Sequence, residues 1–233
     1  MKENNKIDMS RIPAHIAFIM DGNRRWAKAK GLARSLGHSA GFTSMLKAVT
    51  RCVDLGVKYI SFFAWSSDNW GREKSEVNDV LDLAREKADS SIKQIMKVGI
   101  KIVTMGDLTR FPKDLQDKLA KITDMSKNNK RGVLNLCINY GGREDIIQAI
   151  KKIKSPEEIT AAAFEKLLYG ADLPDVDFVV RTSGEQRLSN FMLWKTAYSE
   201  LYFPKVFWPA IGEAFVDKCI IEYQKRNRRY GKD

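Results

Sequence analysis

Short, nearly continuous apolar runs alternate along this chain with longer stretches in which apolar residues recur every three or four positions. A strand covered on both faces reads as the first kind of segment, and a helix with one buried side reads as the second. The runs predict strands at His15–Met20, Tyr59–Trp65, Ile100–Met105, Val133–Tyr140, Val176–Arg181 and Glu200–Phe203. The periodic stretches predict helices at Gly41–Leu55, Glu76–Val98, Pro112–Asn128, Arg143–Ile153, Pro156–Tyr169 and Glu213–Arg229. In the second of these, Val77, Val80, Leu81, Ala84, Ala88, Ile92 and Ile95 form one apolar stripe. Strand alternating with helix predicts an α/β fold with a largely parallel sheet. No repeat, low-complexity tract or long linker divides it, so one domain over residues 15–233 is expected, after an N-terminal extension over 1–14.

Composition adds two constraints. The 233 residues are 44% hydrophobic and 30% charged, the balance of a globular domain with a sizeable core. The formal charge of +11 calls for an anionic partner, and charge alone does not choose between nucleic acid, a membrane surface and a phosphorylated small molecule. No apolar run approaches the length of about 20 residues that a membrane span needs. The opening MKENNKIDMSRIP carries no apolar leader segment, which points to the cytosol. Cys52, Cys137 and Cys219 lie far apart in apolar stretches and read as reduced core thiols. Two histidines offer no clustered zinc site.

The placement of the arginines is more informative. In an open parallel sheet, ligands bind beyond the carboxyl ends of the strands. The predicted strands are followed in turn by Asp21-Gly22-Asn23-Arg24-Arg25-Trp26, by Ser66-Ser67-Asp68-Asn69-Trp70-Gly71-Arg72, by Gly106, Asp107 and Arg110, by Asn139-Tyr140-Gly141-Gly142-Arg143, and by Arg181-Thr182-Ser183-Gly184-Glu185-Gln186-Arg187. Glycine allows close backbone approach, and the arginine fork matches phosphate oxygens. Asp21 is available to a hard cation. Singly, Asp-Gly-Asn reads as a plain turn and the arginines as solvated surface charges. Five such clusters along one rim describe a site for more than one phosphate group.

In order, these segments resemble the cis-prenyltransferases, and within that family the bacterial undecaprenyl diphosphate synthase branch. The resemblance rests on His15-Ile-Ala-Phe-Ile-Met-Asp-Gly-Asn-Arg-Arg-Trp26, Gly37-His38, Ala64-Trp-Ser-Ser-Asp-Asn-Trp70, Asn139-Tyr-Gly-Gly-Arg143 and Arg181-Thr-Ser-Gly-Glu-Gln-Arg-Leu-Ser-Asn-Phe191, followed by Trp194, Tyr198, Glu200 and Leu201. It runs from about Ile12 to about Gly231. It implies a parallel six-stranded sheet flanked by helices, a hydrophobic tunnel lined by the Glu76–Val98 stripe, and a homodimer. The implied activity is magnesium-dependent condensation of isopentenyl diphosphate onto an allylic diphosphate such as farnesyl diphosphate, giving a long cis-polyprenyl diphosphate for a cell-wall lipid carrier.

The resemblance implies roles as well. Asp21 is the magnesium carboxylate at the allylic diphosphate, which Gly22, Asn23, Arg24, Arg25, Trp26, Arg34 and Arg72 hold, with His38 beside them. Ser66 and Asn69 are candidates for assisting proton removal, with the diphosphate itself the alternative acceptor, and Trp70 packs the wall. Arg181, Arg187 and Ser189 hold isopentenyl diphosphate, and Glu200 is a second magnesium ligand near the subunit interface. The run Arg226–Gly231 resembles the family's C-terminal motif. A long prenyl product implies peripheral membrane contact on release.

The chain also departs from the family. Arg24 stands where many members have glycine, Trp65 where phenylalanine is usual, and Arg72-Glu73 where Arg-Pro is common. Arg85-Glu86-Lys87 interrupts a helix that is otherwise more apolar, either facing solvent or reshaping the tunnel, and the segment between Lys154 and Asp172 is short. These departures bear on product length more than on reaction class. A non-catalytic partner subunit would lack Asp21 and the phosphate-binding arginines. Nucleic-acid binding would need a basic face with stacking aromatics, which the strand-end arginines do not form.

Overall fold

The computed structural model describes residues 6–227. Its strands are β1 (His15–Ile19), β2 (Tyr59–Ser66), β3 (Lys101–Met105), β4 (Val133–Tyr140), β5 (Phe178–Arg181) and β6 (Glu200–Tyr202). They form one six-stranded sheet in the order β3-β4-β2-β1-β5-β6, with every neighbouring pair parallel. The helices are α1 (Asn23–Ala29), α2 (Arg34–Asp54), α3 (Lys74–Val98), α4 (Lys113–Ser126), α5 (Gly142–Ile150), α6 (Ala161–Glu165) and α7 (Glu213–Gln224).

The apolar runs form strands because both faces of the sheet are covered. In β1, Ile16 and Phe18 join a core with Ile60, Phe62 and Phe178, against Val49 and Cys52 of α2 and Val216 and Cys219 of α7. The intervening Ala17 and Ile19 enter a second core with Cys137, Val179, Phe191 and Met192. All three cysteines are buried free thiols, and burial raises their pKa. Residues 6–14 belong to the same body: Ile7 and Ile12 pack on the first core, and Gln224 of α7 donates to the carbonyls of Asp8 and Arg11.

α1 is not among the expected helices, and three others depart most from their expected bounds. α2 begins at Arg34, ahead of the expected Gly41, and carries Gly37 and Gly41 inside it. Mid-helix glycine costs about 1 kcal/mol relative to alanine and so reads as a boundary. Here it permits contact, because a Cβ at Gly37 would lie 2.3 Å from the Asn23 carbonyl oxygen, and one at Gly41 would lie 2.3 Å from Asn23 Oδ1. The expected helix at Pro156–Tyr169 is a 3-10 turn at Pro156–Glu158 followed by the short α6, whose start Thr160 caps by accepting from the Ala163 amide at 3.1 Å. α7 ends at Gln224, and residues 228–231 of the expected C-terminal motif lie outside the described residues.

One polar network crosses the core. His15 is fully buried, with Nδ1 2.9 Å from the Pro174 carbonyl oxygen and Nε2 2.8 Å from Ser61 Oγ, which also accepts from Asn135 Nδ2 at 3.0 Å. The carbonyl partner makes Nδ1 the donor, so the ring is neutral and Nε2 accepts from Ser61. Burial lowers the His15 pKa from 6.5 to about 4. The unfolded chain therefore binds a proton that the folded chain rejects. The stability this ring contributes is present above pH 6.5 and is lost as pH falls toward 4, by up to about 3 kcal/mol. Urea unfolding midpoints across pH 4–7 should fall more steeply for the unaltered protein than for His15→Gln; parallel profiles would contradict this account.

Candidate active site

From β1 the chain moves to β2 on one side, whereas β5 leads to β6 on the other, so the sheet changes direction between β1 and β5. A crevice opens beyond the carboxyl ends of two strands related in this way. Asp21 follows β1, and Arg181 is the last residue of β5. Arg181 Nη2 donates to Asp21 Oδ2 at 3.0 Å across the crevice, and the Arg181 side chain is only 6% exposed. Its Nη1 donates to the Arg187 carbonyl and to Ser189 Oγ, both at 2.7 Å. Thr182 Oγ1 donates to the Asp21 carbonyl at 2.7 Å. Gly22 is required at this turn: its φ is +103°, and a Cβ would lie 2.2 Å from Ser183 Oγ.

Charge alternates outward from this pair. Arg25 donates to Asp21 Oδ1 at 3.1 Å and to Glu185 Oε1 at 2.7 Å, and Arg187 donates to Glu185 Oε2 at 2.6 Å. Three guanidiniums thus face two carboxylates. The segment after β5 is strained: Ser183, Ser189, Asn190 and Met192 all have positive φ, as does Asn139, the penultimate residue of β4. Non-glycine residues hold this conformation only where their surroundings enforce it, as happens at ligand sites.

Beside the crevice lies a cavity of about 650 Å³ walled by Asp21, Gly22, Asn23, Arg24, Arg25, Arg34, His38 and Arg72. The expected allylic-diphosphate residues therefore share one cavity, apart from Trp26, whose half-buried ring lies under Lys30 Nζ. Met20, Asn23 and His38 also border a second, apolar cavity of about 220 Å³. It lies between the sheet and α2, α3 and α4, where Ala84, Ala88 and Ser91 of α3 face Leu134 and Leu136 of β4. A side lobe of about 110 Å³ lies under Trp65 and Phe111. Small side chains on α3 leave this space open. Arg85-Glu86-Lys87 does not interrupt the stripe: Arg85 pairs with Asp82 and Asp114, Lys87 pairs with Glu86, and all three are absent from the cavity wall. At the junction, His38 Nε2 and Asn23 Oδ1 are buried without a hydrogen-bond partner. Burial lowers the His38 pKa, outweighing the opposite pull of Glu76.

Other expected residues sit elsewhere. Ser66 and Asn69 serve a tight turn: Ser66 Oγ accepts from the Asp68 amide at 3.2 Å, and Asn69 Oδ1 accepts from the Ser66 amide at 3.2 Å. Trp70 donates to Asn139 Oδ1 at 2.8 Å, packs on Trp65 and Phe111, and carries the Arg110 guanidinium 4.6 Å above its ring. Glu200 opens edge strand β6 and pairs with Phe178, three residues before Arg181. That is about 10 Å along the strand from the crevice, so one chain does not bring Glu200 to Asp21.

Two carboxylates were not among the expected site residues. Glu185 bridges Arg25 and Arg187. Glu76, only 3% exposed, lies within 4 Å of Arg24, Arg34, Arg72 and His38. Position in the sequence hid both: Glu185 reads as one more residue of a polar loop, and Glu76 as an ordinary acidic residue in a helix's first turn.

Among the described residues, no group of three His, Cys, Asp or Glu side chains forms a metal cage. Asp21, 26% exposed beside an arginine-lined cavity, fits a different arrangement. Magnesium is commonly held by one or two carboxylates together with substrate phosphates and water.

The family described as "Putative undecaprenyl diphosphate synthase" matches residues 19–231. An isoprenyl transferase of Fusobacterium nucleatum is 44% identical over 222 residues, covering 94% of this chain and 96% of that protein. A ditrans,polycis-undecaprenyl-diphosphate synthase ((2E,6E)-farnesyl-diphosphate specific) of Haemophilus influenzae is 41% identical over 234 residues, covering 97% of this chain and 98% of that protein. Among solved structures, lavandulyl diphosphate synthase from Lavandula x intermedia, in complex with dimethylallyl diphosphate, superposes with a TM-score of 0.92 at 34% identity, covering 96% of this chain and all of that one. A probable undecaprenyl diphosphate synthase from Campylobacter jejuni gives 0.80 at 30% identity, covering 94% and 99%.

The geometry makes Arg181 a structural member of the site. Arg181→Ala would leave Asp21 Oδ2, the Arg187 carbonyl and Ser189 Oγ without the guanidinium that donates to them. Urea unfolding should show a loss of about 2–4 kcal/mol, the range for breaking a largely buried ion pair; a loss below about 0.5 kcal/mol, typical of surface substitutions, would contradict this.

Proposed function

The chain belongs to the undecaprenyl diphosphate synthase family of prenyltransferases, and from that premise we propose that it extends farnesyl diphosphate with isopentenyl diphosphate to undecaprenyl diphosphate. The cis-prenyltransferase reaction class follows from membership. One observation carries the site assignment: an arginine-lined polar cavity meets an apolar cavity at Met20, Asn23 and His38. An allylic diphosphate has the same division, a polyanionic head and a hydrocarbon tail.

In the reaction the allylic C1–O bond breaks, and the diphosphate leaves with the electron pair. The isopentenyl double bond supplies the electrons for the new carbon–carbon bond. Loss of a proton from the isopentenyl unit then restores a double bond, in the cis geometry. Arg25, Arg34 and Arg72, with the Gly22 and Asn23 backbone, hold the allylic diphosphate, and their fixed charges stabilise it as it departs. Arg181, Arg187 and Ser189 hold isopentenyl diphosphate, so the two reactants meet across the Asp21–Arg181 pair at high effective concentration. Asp21 would hold magnesium, which supplies further neutralisation of the diphosphate charge when bound. With Ser66 and Asn69 engaged in their own turn, the departing diphosphate is the proton acceptor.

The growing tail enters the apolar cavity, where each buried CH2 contributes about 0.8 kcal/mol. A homodimer covers the β6 edge, where Tyr198 and Leu201 are exposed, and presents Glu200 to the partner's magnesium site. No helix among the described residues is long and apolar enough to cross a membrane. The enzyme works from the cytosol, with peripheral membrane contact when product leaves.

Purified protein with magnesium, farnesyl diphosphate and labelled isopentenyl diphosphate should yield a ladder of extended lipids ending at a defined length, and a chelator should abolish it. A single short product, or none with any allylic primer, would overturn the proposal. Asp21→Ala should lower turnover by at least about a hundredfold while the protein still unfolds cooperatively; near-normal turnover would remove Asp21 from its role. Ala88→Leu, which fills the cavity wall, should shift the ladder to shorter lipids, and an unchanged distribution would show that the tail lies elsewhere.

A further inference from the structure

We propose that Glu76 is a positioning residue, a buried carboxylate behind the polar cavity that sets the spacing of three guanidiniums for the incoming diphosphate. The proposal rests on the reading of that cavity as the allylic-diphosphate site. Arg24, Arg34, Arg72 and His38 line the cavity; Glu76 does not, and its side chain is 3% exposed. Its Oε2 lies 3.2 Å from Arg24 Nη1 and 3.6 Å from Arg34 Nη1, and its Oε1 lies 3.1 Å from Arg72 Nη1 and 3.9 Å from His38 Nε2.

The three guanidiniums come from three different elements. Arg24 belongs to α1, Arg34 begins α2, and Arg72 follows the turn after β2. Their other carboxylate partners are weak holds. Arg34 reaches Glu73 at 3.4 Å and Asp79 at 3.5 Å, both well exposed. Exposed pairs of this kind contribute little. A buried carboxylate, in contrast, is costly unless several cations surround it. Glu76 and the arginines therefore need each other, and α3, which carries Glu76 in its first turn, is fixed at the cavity by the same contacts. Glu76 sets one negative charge against these three guanidiniums, and the exposed Glu73 and Asp79 offset Arg34 only weakly, so the cavity wall keeps a positive balance for a polyanion. Arg24, which stands where many members of the family have glycine, adds the arm that ties α1 to α3. A ligand that finds its donors already spaced loses less to ordering them on binding.

The test is calorimetric titration of inorganic pyrophosphate, at fixed magnesium and ionic strength, into the unaltered protein, Glu76→Gln, Glu76→Asp, Arg34→Gln and the double variant Arg34→Gln/Glu76→Gln. The expected result is about tenfold weaker binding for Glu76→Gln, the scale of one charge-assisted hydrogen bond, and a smaller loss for Glu76→Asp, which keeps the charge but shortens its reach. Because Glu76 acts through the arginines, the double variant should lose less than the product of the two single losses. Unchanged or tighter binding by Glu76→Gln, or single losses that simply multiply, would overturn the proposal. If Glu76→Gln does not fold, Glu76→Asp decides, and affinity equal to the unaltered protein overturns it. Absence of pyrophosphate binding by the unaltered protein would be a different failure, removing the diphosphate reading of the cavity and the proposal with it.

Discussion

The ion pair between Asp21 and Arg181 joins the two strands at which the sheet changes direction, and the rest of the site is arranged around it. Arg181 orients three groups at once: the Asp21 carboxylate, the Arg187 carbonyl and Ser189 Oγ. A guanidinium can do this because its donors lie in one rigid plane, which a lysine lacks. Burial gives the pair its authority over geometry, since a poorly placed charge in that position would be costly. Of the strained residues after β5, Ser189 is held by this guanidinium, and Asn190 by the Arg143 amide and the Glu144 carboxylate.

Charge compensation is the second theme. A wall of arginines would repel itself and disorder, so the fold places carboxylates between them. Asp21 and Glu185 separate Arg181, Arg25 and Arg187, and Glu76 gathers Arg24, Arg34 and Arg72. Each group retains more positive than negative charge. The site is thus ordered without ligand and still attracts anions, which is electrostatic preorganisation in physical terms.

Behind this wall the packing changes character. Gly37 and Gly41 let α2 close against the start of α1, which carries Asn23 and His38 to the boundary between the cavities. On α3, Ala84, Ala88 and Ser91 leave a gap that larger residues would fill. The charged triplet Arg85-Glu86-Lys87 lies off that gap, toward α4 and solvent. Close contact at the mouth and open space behind it are both set by small side chains.

Much of this was legible in the chain itself. The apolar runs located β1 to β5 because covered parallel strands are apolar on both faces, and the shorter run Glu200–Phe203 located the edge strand β6. Asp21, Gly22, Asn23, Arg24, Arg25 and Arg72, which follow strands in order along the chain, are legible there as a group, and the fold brings them to one polar cavity. The start of α2 was not legible, because a glycine that breaks a helix and one that admits a neighbour look the same in sequence. Glu76, Glu185 and the position of Glu200 belonged to the tertiary structure alone. Whether an acidic residue is solvated or becomes the buried partner of three arginines depends on which elements converge on it, and that convergence follows from strand order and register, which local pattern does not encode.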